Sequence, residues 1–278
     1  MKEMSLREIQ LFSLEILKDV HSFCIKNGIN YSLCGGTLIG AVRHKGFIPW
    51  DDDIDINMPR ADYIRFCNTY KSDRFRLISP EDKESRITFS RVCDTALTYR
   101  ESSFSPWASI DTGVWIDIFP MDGASDKIGR YRMDSSIVSF FYGLSTSSRA
   151  SYESFSPNMS MAYKTRLFLS KLLFIPCWKR YNTFVTRLLN GIVLWLITRK
   201  KYGETGHWTQ LSCPVYPKKE YHVMDGFNEF ETMPFEGEEL LVFKGYHEYL
   251  TDIYGDYMTP PPVEKRVRGH AQFRCFWK

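Results

Sequence analysis

Apolar positions along the first sixty residues change period twice, and each change marks an element. Between Met4 and Asn27, Leu6, Ile9, Phe12, Leu14, Ile16, Leu17, Val20, Phe23 and Cys24 recur at three- and four-residue spacing, which predicts a long amphipathic helix. Ser5 followed by Glu8 makes a capping-box pattern at its start, and Gly28 is a natural stop. Ile29–Cys34 reads as a short strand running into Gly35-Gly36-Thr37, which opens a second helix over Leu38–His44. Asp51–Met58 alternates, which predicts a strand with Ile54 and Ile56 toward the core and Asp51, Asp53 and Asp55 on the other face. Pro59 then starts a third helix with Tyr63, Phe66 and Cys67 as its apolar stripe.

Farther on, Phe75–Ser79, Ile87–Cys93, Leu97–Tyr99 and Val114–Phe119 read as strands, the last ended by Pro120 and Gly123. Asp126–Lys201 reads as mostly helical with a Ser-rich break over Ser145–Ser160, and His207–Met233 as irregular. Gly245–Tyr254 predicts a short helix capped by Gly255, and Pro260-Pro261-Pro262 forces extended chain before a basic tail. The fold class expected is α/β (α+β), a mixed sheet flanked by helices. Residues 1–125 form its core, and 126–278 a helical, aromatic-rich cover packed on that core.

Composition narrows the function classes. The chain has 278 residues, 44% hydrophobic and 25% charged, as in ordinary globular proteins, with 15% aromatic residues. A net charge of +3 is too small to argue for a nucleic-acid partner. Seven cysteines show no CxxC pair, and Cys24, Cys34 and Cys67 sit among apolar residues, a usage that suits a reducing compartment. The N-terminus lacks the apolar core of a secretory signal, and no segment reaches the roughly 20 apolar residues of a membrane span. A cytoplasmic protein is expected.

The chemistry concentrates at residues 51–55, where four carboxylates fall within five positions behind Pro49 and Trp50. Same-face aspartates of a strand sit about 6.5–7 Å apart at Cα, close enough to converge on one hard cation. Without a cation they repel each other. Gly35 and Gly36, with Thr37, let backbone approach a phosphate at a helix N-terminus. Asp53 and Asp55 are the expected Mg²⁺ pair, with Mn²⁺ the alternative, and Asp51 and Asp52 flank them. Asp117, inside Trp-Ile-Asp-Ile-Phe-Pro, completes the set as a third ligand or as base for an incoming hydroxyl. Arg43, His44 and Lys45 offer positive charge to a phosphate chain. Together these outline a phosphoryl-transfer site of nucleotidyltransferase type. Plainer readings compete: a solvated acidic turn or structural Ca²⁺ loop for 51–55, a buried hydrogen-bonded strand aspartate for Asp117, and helix-end cations for Arg43 and His44.

The stretch Cys-Gly-Gly-Thr-Leu-Ile-Gly-Ala-Val-Arg-His-Lys-Gly-Phe-Ile-Pro-Trp-Asp-Asp-Asp-Ile-Asp-Ile from Cys34 closely resembles the signature of the LicD family, phosphocholine transferases and their fukutin-type relatives. The likeness continues in Trp115-Ile-Asp-Ile-Phe-Pro-Met-Asp, in Pro234-Phe-Glu-Gly and in Tyr254-Gly-Asp-Tyr-Met-Thr-Pro-Pro-Pro. After Arg266 the chain reads Val-Arg-Gly-His270, where the family leads one to expect a more His-rich run. The resemblance implies a nucleotidyltransferase-like fold, a CDP-activated donor and Mg²⁺, with Asp53 and Asp55 as the metal pair and Asp117 as the third carboxylate.

On that footing the expected reaction is transfer of phosphocholine from CDP-choline to a hydroxyl of a cell-surface glycan (lipopolysaccharide, teichoic acid or capsule), free or lipid-linked. Glycerol phosphate, ribitol phosphate or phosphoethanolamine are the rival head groups. A silent nucleotide- or glycan-binding module and a nucleic-acid nucleotidyltransferase are rivals of other kinds. A choline cation calls for aromatic walls, for which Trp50, Trp115, Tyr254 and Tyr257 are candidates. Asp256 either orients substrate or caps its turn. Lys164–Lys201 mixes basic and apolar residues, so it either touches an anionic membrane peripherally or packs as core helices.

Overall fold

The computed structural model describes residues 1–83, 85–101, 112–149, 161–174, 178–266 and 274–278. In chain order its strands are β1 (Lys2–Glu3), β2 (Ser32–Leu33), β3 (Asp55–Pro59), β4 (Arg76–Ile78), β5 (Ser90–Cys93), β6 (Thr98–Arg100) and β7 (Trp115–Gly123). They are followed by β8 (His207–Thr209), β9 (His222–Val223), β10 (Phe230–Phe235), β11 (Glu238–Phe243) and β12 (Cys275–Trp277). The helices are α1 (Leu6–Asn27), α2 (Gly35–His44), α3 (Arg60–Thr69), α4 (Ile128–Arg149), α5 (Met161–Leu172), α6 (Lys179–Ile197) and α7 (Tyr246–Tyr254).

The central sheet runs β2-β3-β7-β5-β4, with β8 on the far end of β7 and β9 beside β8. Only β3 and β7 pair in parallel; the other neighbours are antiparallel, so the sheet is mixed as expected. β1, β12 and β6 form a separate small sheet, and β10-β11 a hairpin. Ile54, Ile56, Met58, Ile116 and Ile118 are fully buried, in one core with the inner face of α1 (Ile16, Leu17, Val20) and with Trp208, Phe235 and Phe243 from the second half. α1 begins with the capping box, in which Ser5 and Glu8 satisfy each other's backbone N–H, and ends at Gly28 in the left-handed region.

Three expectations need correction. Strand structure starts at Asp55, not Asp51, because the Pro49–Trp50 turn carries on into an irregular segment. Pro120 does not end β7. Asp117 N–H donates to Ile54 O at 2.9 Å, so even-numbered β7 residues point away from β3. The donor that proline lacks therefore falls in the gap between β5, which stops opposite Ile118, and β8, which begins opposite Asp122. Residues 207–233 hold β8 and β9, of three and two residues and too short to show a period, and the start of β10. Residues 126–201 are mostly helical where described. The serine-rich break beyond Arg149, and His270, lie outside the described residues.

The second half is woven into the first rather than laid over it. β8 extends the central sheet, β12 pairs with β1 and β6, and the hairpin packs next to β2. Among the described residues six cysteines are free thiols, of which Cys24, Cys34, Cys93 and Cys275 are buried. Among the described residues no helix is long and apolar enough to cross a membrane.

Candidate active site

The parallel register of β3 and β7 sets Asp55 opposite Asp117, and the antiparallel register of β7 and β5 sets Arg91 opposite Asp117 on its other side. Two acids and a base thus stand in one row across three strands. Arg91 grips Asp117 with both prongs, Nε to Oδ1 at 2.5 Å and Nη2 to Oδ2 at 3.2 Å. Two residues before Asp117, and so on the same face, Trp115 lies between Arg91 at 4.2 Å and Arg100 at 3.3 Å from its ring centre. Burial, and then the neighbouring Arg91, push the Arg100 guanidinium down to about 9.

Asp51, Asp52 and Asp53 approach the row from the irregular segment. Asp51 N–H donates to Ile48 O at 2.9 Å, and Gln10 Nε2 of α1 donates to Asp51 O at 2.8 Å. That looped course brings a ligand oxygen from each of the three within 4.8 Å of the others, tighter than strand alternation allows. Burial, then repulsion from Asp53 and Asp52, push the Asp51 carboxyl up to about 8. Asp55 is held well above the carboxylate range by burial and then by Asp53, Asp117 and Asp51, against the pull of Arg91. The buried Cys34 thiol is raised by burial and then by Asp55, Glu220, Asp53 and Asp117. An all-oxygen cluster whose members oppose one another's ionisation is a fit for a hard divalent cation.

Helix α2 backs this cluster because two of its glycines make room. A methyl group at Gly36 would stand 2.6 Å from Asp51 Oδ2, and one at Gly40 2.5 Å from Gly46 O. One turn apart on one face, they let residues 46–51 lie directly on the helix. The positive end of α2 therefore faces the acids. Thr37 is buried in the first turn of α2, and its hydroxyl accepts from Asp55 N–H at 2.9 Å. Arg43 and His44 form the last turn of α2 and Lys45 its C-cap, where Arg43 donates to Tyr257 O at 2.7 Å and to His44 Nε2 at 2.9 Å.

The aromatic candidates divide similarly. Trp115 is taken by two guanidinium groups, Trp50 by Arg266 at 5.2 Å, and Tyr257 is buried with its hydroxyl on His247. Tyr254 stands beside Asp55. A methyl at Gly35 would lie 3.5 Å from its hydroxyl and 3.6 Å from Asp55 Oδ2. Tyr216 packs edge-on against it at 6.0 Å. Asp256 caps its turn through Thr259.

Sequence reasoning missed Arg91, Arg100, Gln10, Tyr216 and Glu236. Arg91 left a faint signal as a lone charge inside an apolar strand. Glu236 lies in the Pro234-Phe-Glu-Gly motif, at the tip of the β10-β11 hairpin. Its carboxylate accepts from Phe47 N–H at 3.1 Å and pairs with Arg7 of α1 at 2.6 Å, fastening the loop that leads to the aspartates.

Residues 28–142 match the family model described as LicD/FKTN/FKRP, nucleotidyltransferase domain. The chain is 32% identical to the lipopolysaccharide cholinephosphotransferase LicD of Haemophilus influenzae, with 98% of each chain covered. Shorter matches, 50% identical over 52 and 50 residues, link 19% and 18% of this chain to uncharacterized proteins of Rickettsia typhi and Rickettsia prowazekii. With its acidic row on the matched segment and its whole length shared with a curated relative, this chain belongs to the LicD family of phosphotransferases.

Proposed function

We propose that this enzyme transfers phosphocholine from CDP-choline to a hydroxyl of lipopolysaccharide or a related surface glycan, in the cytoplasm at the inner face of the membrane. The observation that carries the reading is the grouping of Asp51, Asp52 and Asp53 within 4.8 Å, with Asp51 and Asp55 at the start of α2 and Asp117 as the register partner of Asp55. Full-length likeness to a lipopolysaccharide cholinephosphotransferase supports the substrate. Tyr254, whose hydroxyl stands at Gly35 beside Asp55, is the aromatic ring offered to a quaternary-ammonium head group.

Asp53 and Asp55, flanked by Asp51 and Asp52, would hold Mg²⁺, which when bound neutralises charge on the phosphate oxygens. The start of α2 faces the donor pyrophosphate and its dipole favours that anion. Asp117, aligned by Arg91, accepts the proton of the glycan hydroxyl. The oxygen so activated forms a new bond to the phosphorus bearing choline, and the bridging P–O bond to CMP breaks. Arg91 keeps the Asp117 carboxylate in one orientation throughout.

Release of CMP from CDP-choline in the presence of Mg²⁺ and a deacylated lipopolysaccharide acceptor tests this, beside a panel of other CDP-linked alcohols. Asp53→Asn is expected to abolish release while remaining folded. Undiminished transfer by that variant would overturn the assignment, and faster release from CDP-ribitol or CDP-glycerol would overturn the head group.

A further inference from the structure

Helix α6 carries its polarity inside out. Its buried positions are Asn182, Thr186, Leu189, Asn190, Val193 and Ile197, half of them polar. Asn190 accepts from Ser145 of α4 at 2.7 Å, and α4 brings buried Ser135 and Ser147 of its own. The outward stripe is Tyr181, Phe184, Leu188 and Trp195, spaced by three, four and seven residues, with Phe184 65% and Trp195 63% exposed. A helix on a water-facing surface shows the reverse order. Small polar residues between helices, with large apolar ones outward, characterise helices that face lipid.

Charge points to the same partner. Between Glu153 and Glu204 the sequence holds nine lysines and arginines and no acid, although the whole chain is only +3. Exposed Lys179 and Arg180 follow Trp178 at the start of α6, and Arg199 stacks on Trp195 at 5.0 Å near its end, ahead of Lys200 and Lys201. Tryptophan beside cations at both ends is the anchoring pattern of the membrane interface. With 19 residues, three of them basic, α6 is suited to lie along a surface and not to cross it.

We propose that α6 beds its Tyr181–Trp195 stripe into the interface of an anionic phospholipid bilayer. The proposal stands on the surface of the helix and is independent of the catalytic reading. Co-sedimentation of the full chain with phosphatidylglycerol vesicles is expected to be strong at low salt and weakened by added salt, and to be slight with phosphatidylcholine alone. Phe184→Ser with Trp195→Ser should lower the partition coefficient about tenfold or more while leaving the far-ultraviolet dichroism and the Tm unchanged. Wild-type protein that stays in the supernatant with anionic vesicles at low salt would overturn it. So would a dimer in light scattering that the double variant abolishes without any vesicle binding, because a second copy would then be what covers the stripe.

Discussion

Asp55 and Asp117 are register partners across the parallel β3–β7 pair of the central sheet, and Arg91 forms its ion pair with Asp117 and not with Asp55. That imbalance separates activity from stability. Asp55→Asn removes a crowded, buried charge, so chelator-treated protein should melt at a higher temperature than wild type while CMP release falls about 10²-fold or more. Asp117→Asn should lose activity and also stability, because it leaves Arg91 buried without its counter-charge. Differential scanning fluorimetry beside the release assay distinguishes the two.

The same crowding gives a pH signature. Asp51 and Asp55 have folded-state values above their unfolded ones, so the folded protein binds more protons than the unfolded chain. Their contribution to stability is fully present at low pH and is lost as pH rises through the folded value, from about 4 up to about 8 for Asp51. Relative to Asp51→Asn, the wild-type melting temperature in chelator should fall across that window, and added Mg²⁺ should flatten the difference. A flat difference in chelator would contradict the carboxylate crowding.

Gly36 and Gly40 should respond differently to alanine. At Gly36 the methyl meets a side-chain carboxylate that can swing aside, so Gly36→Ala is expected to impair turnover with little loss of Tm. At Gly40 it meets backbone at Gly46 and Ile48, which cannot yield cheaply, so Gly40→Ala should cost about 1–3 kcal/mol in denaturant unfolding.

Glu236 predicts an effect at a distance. Glu236→Ala frees Phe47 N–H and Arg7 together, at about 1–3 kcal/mol, and loosens the loop ahead of Asp51. The expected result is a lower kcat with KM for donor nearly unchanged, partly restored by Glu236→Gln.

Much of this was legible in the chain itself, and for physical reasons. α1 announced itself because 22 residues give the helical period room to show, with a capping box and Gly28 as punctuation. The acids at 53, 55 and 117 were conspicuous because carboxylates set beside isoleucines need a reason. β8, β9 and β12 stayed hidden, since two or three residues carry no period. Arg91 and Glu236 were missed because their partners lie 26 and 189 or more residues away in sequence, a distance no local pattern spans.

The pairing of β8 with the far end of β7 has a consequence for how this protein can be dissected. A fragment ending at residue 125 would bare the edge of its own catalytic strand and leave a hole where Trp208 belongs, inviting aggregation. It also ties the helical layer mechanically to the acids, since the chain leaving α6 returns at once to that strand. A tug on those helices would be felt two turns of pleat away from Asp117.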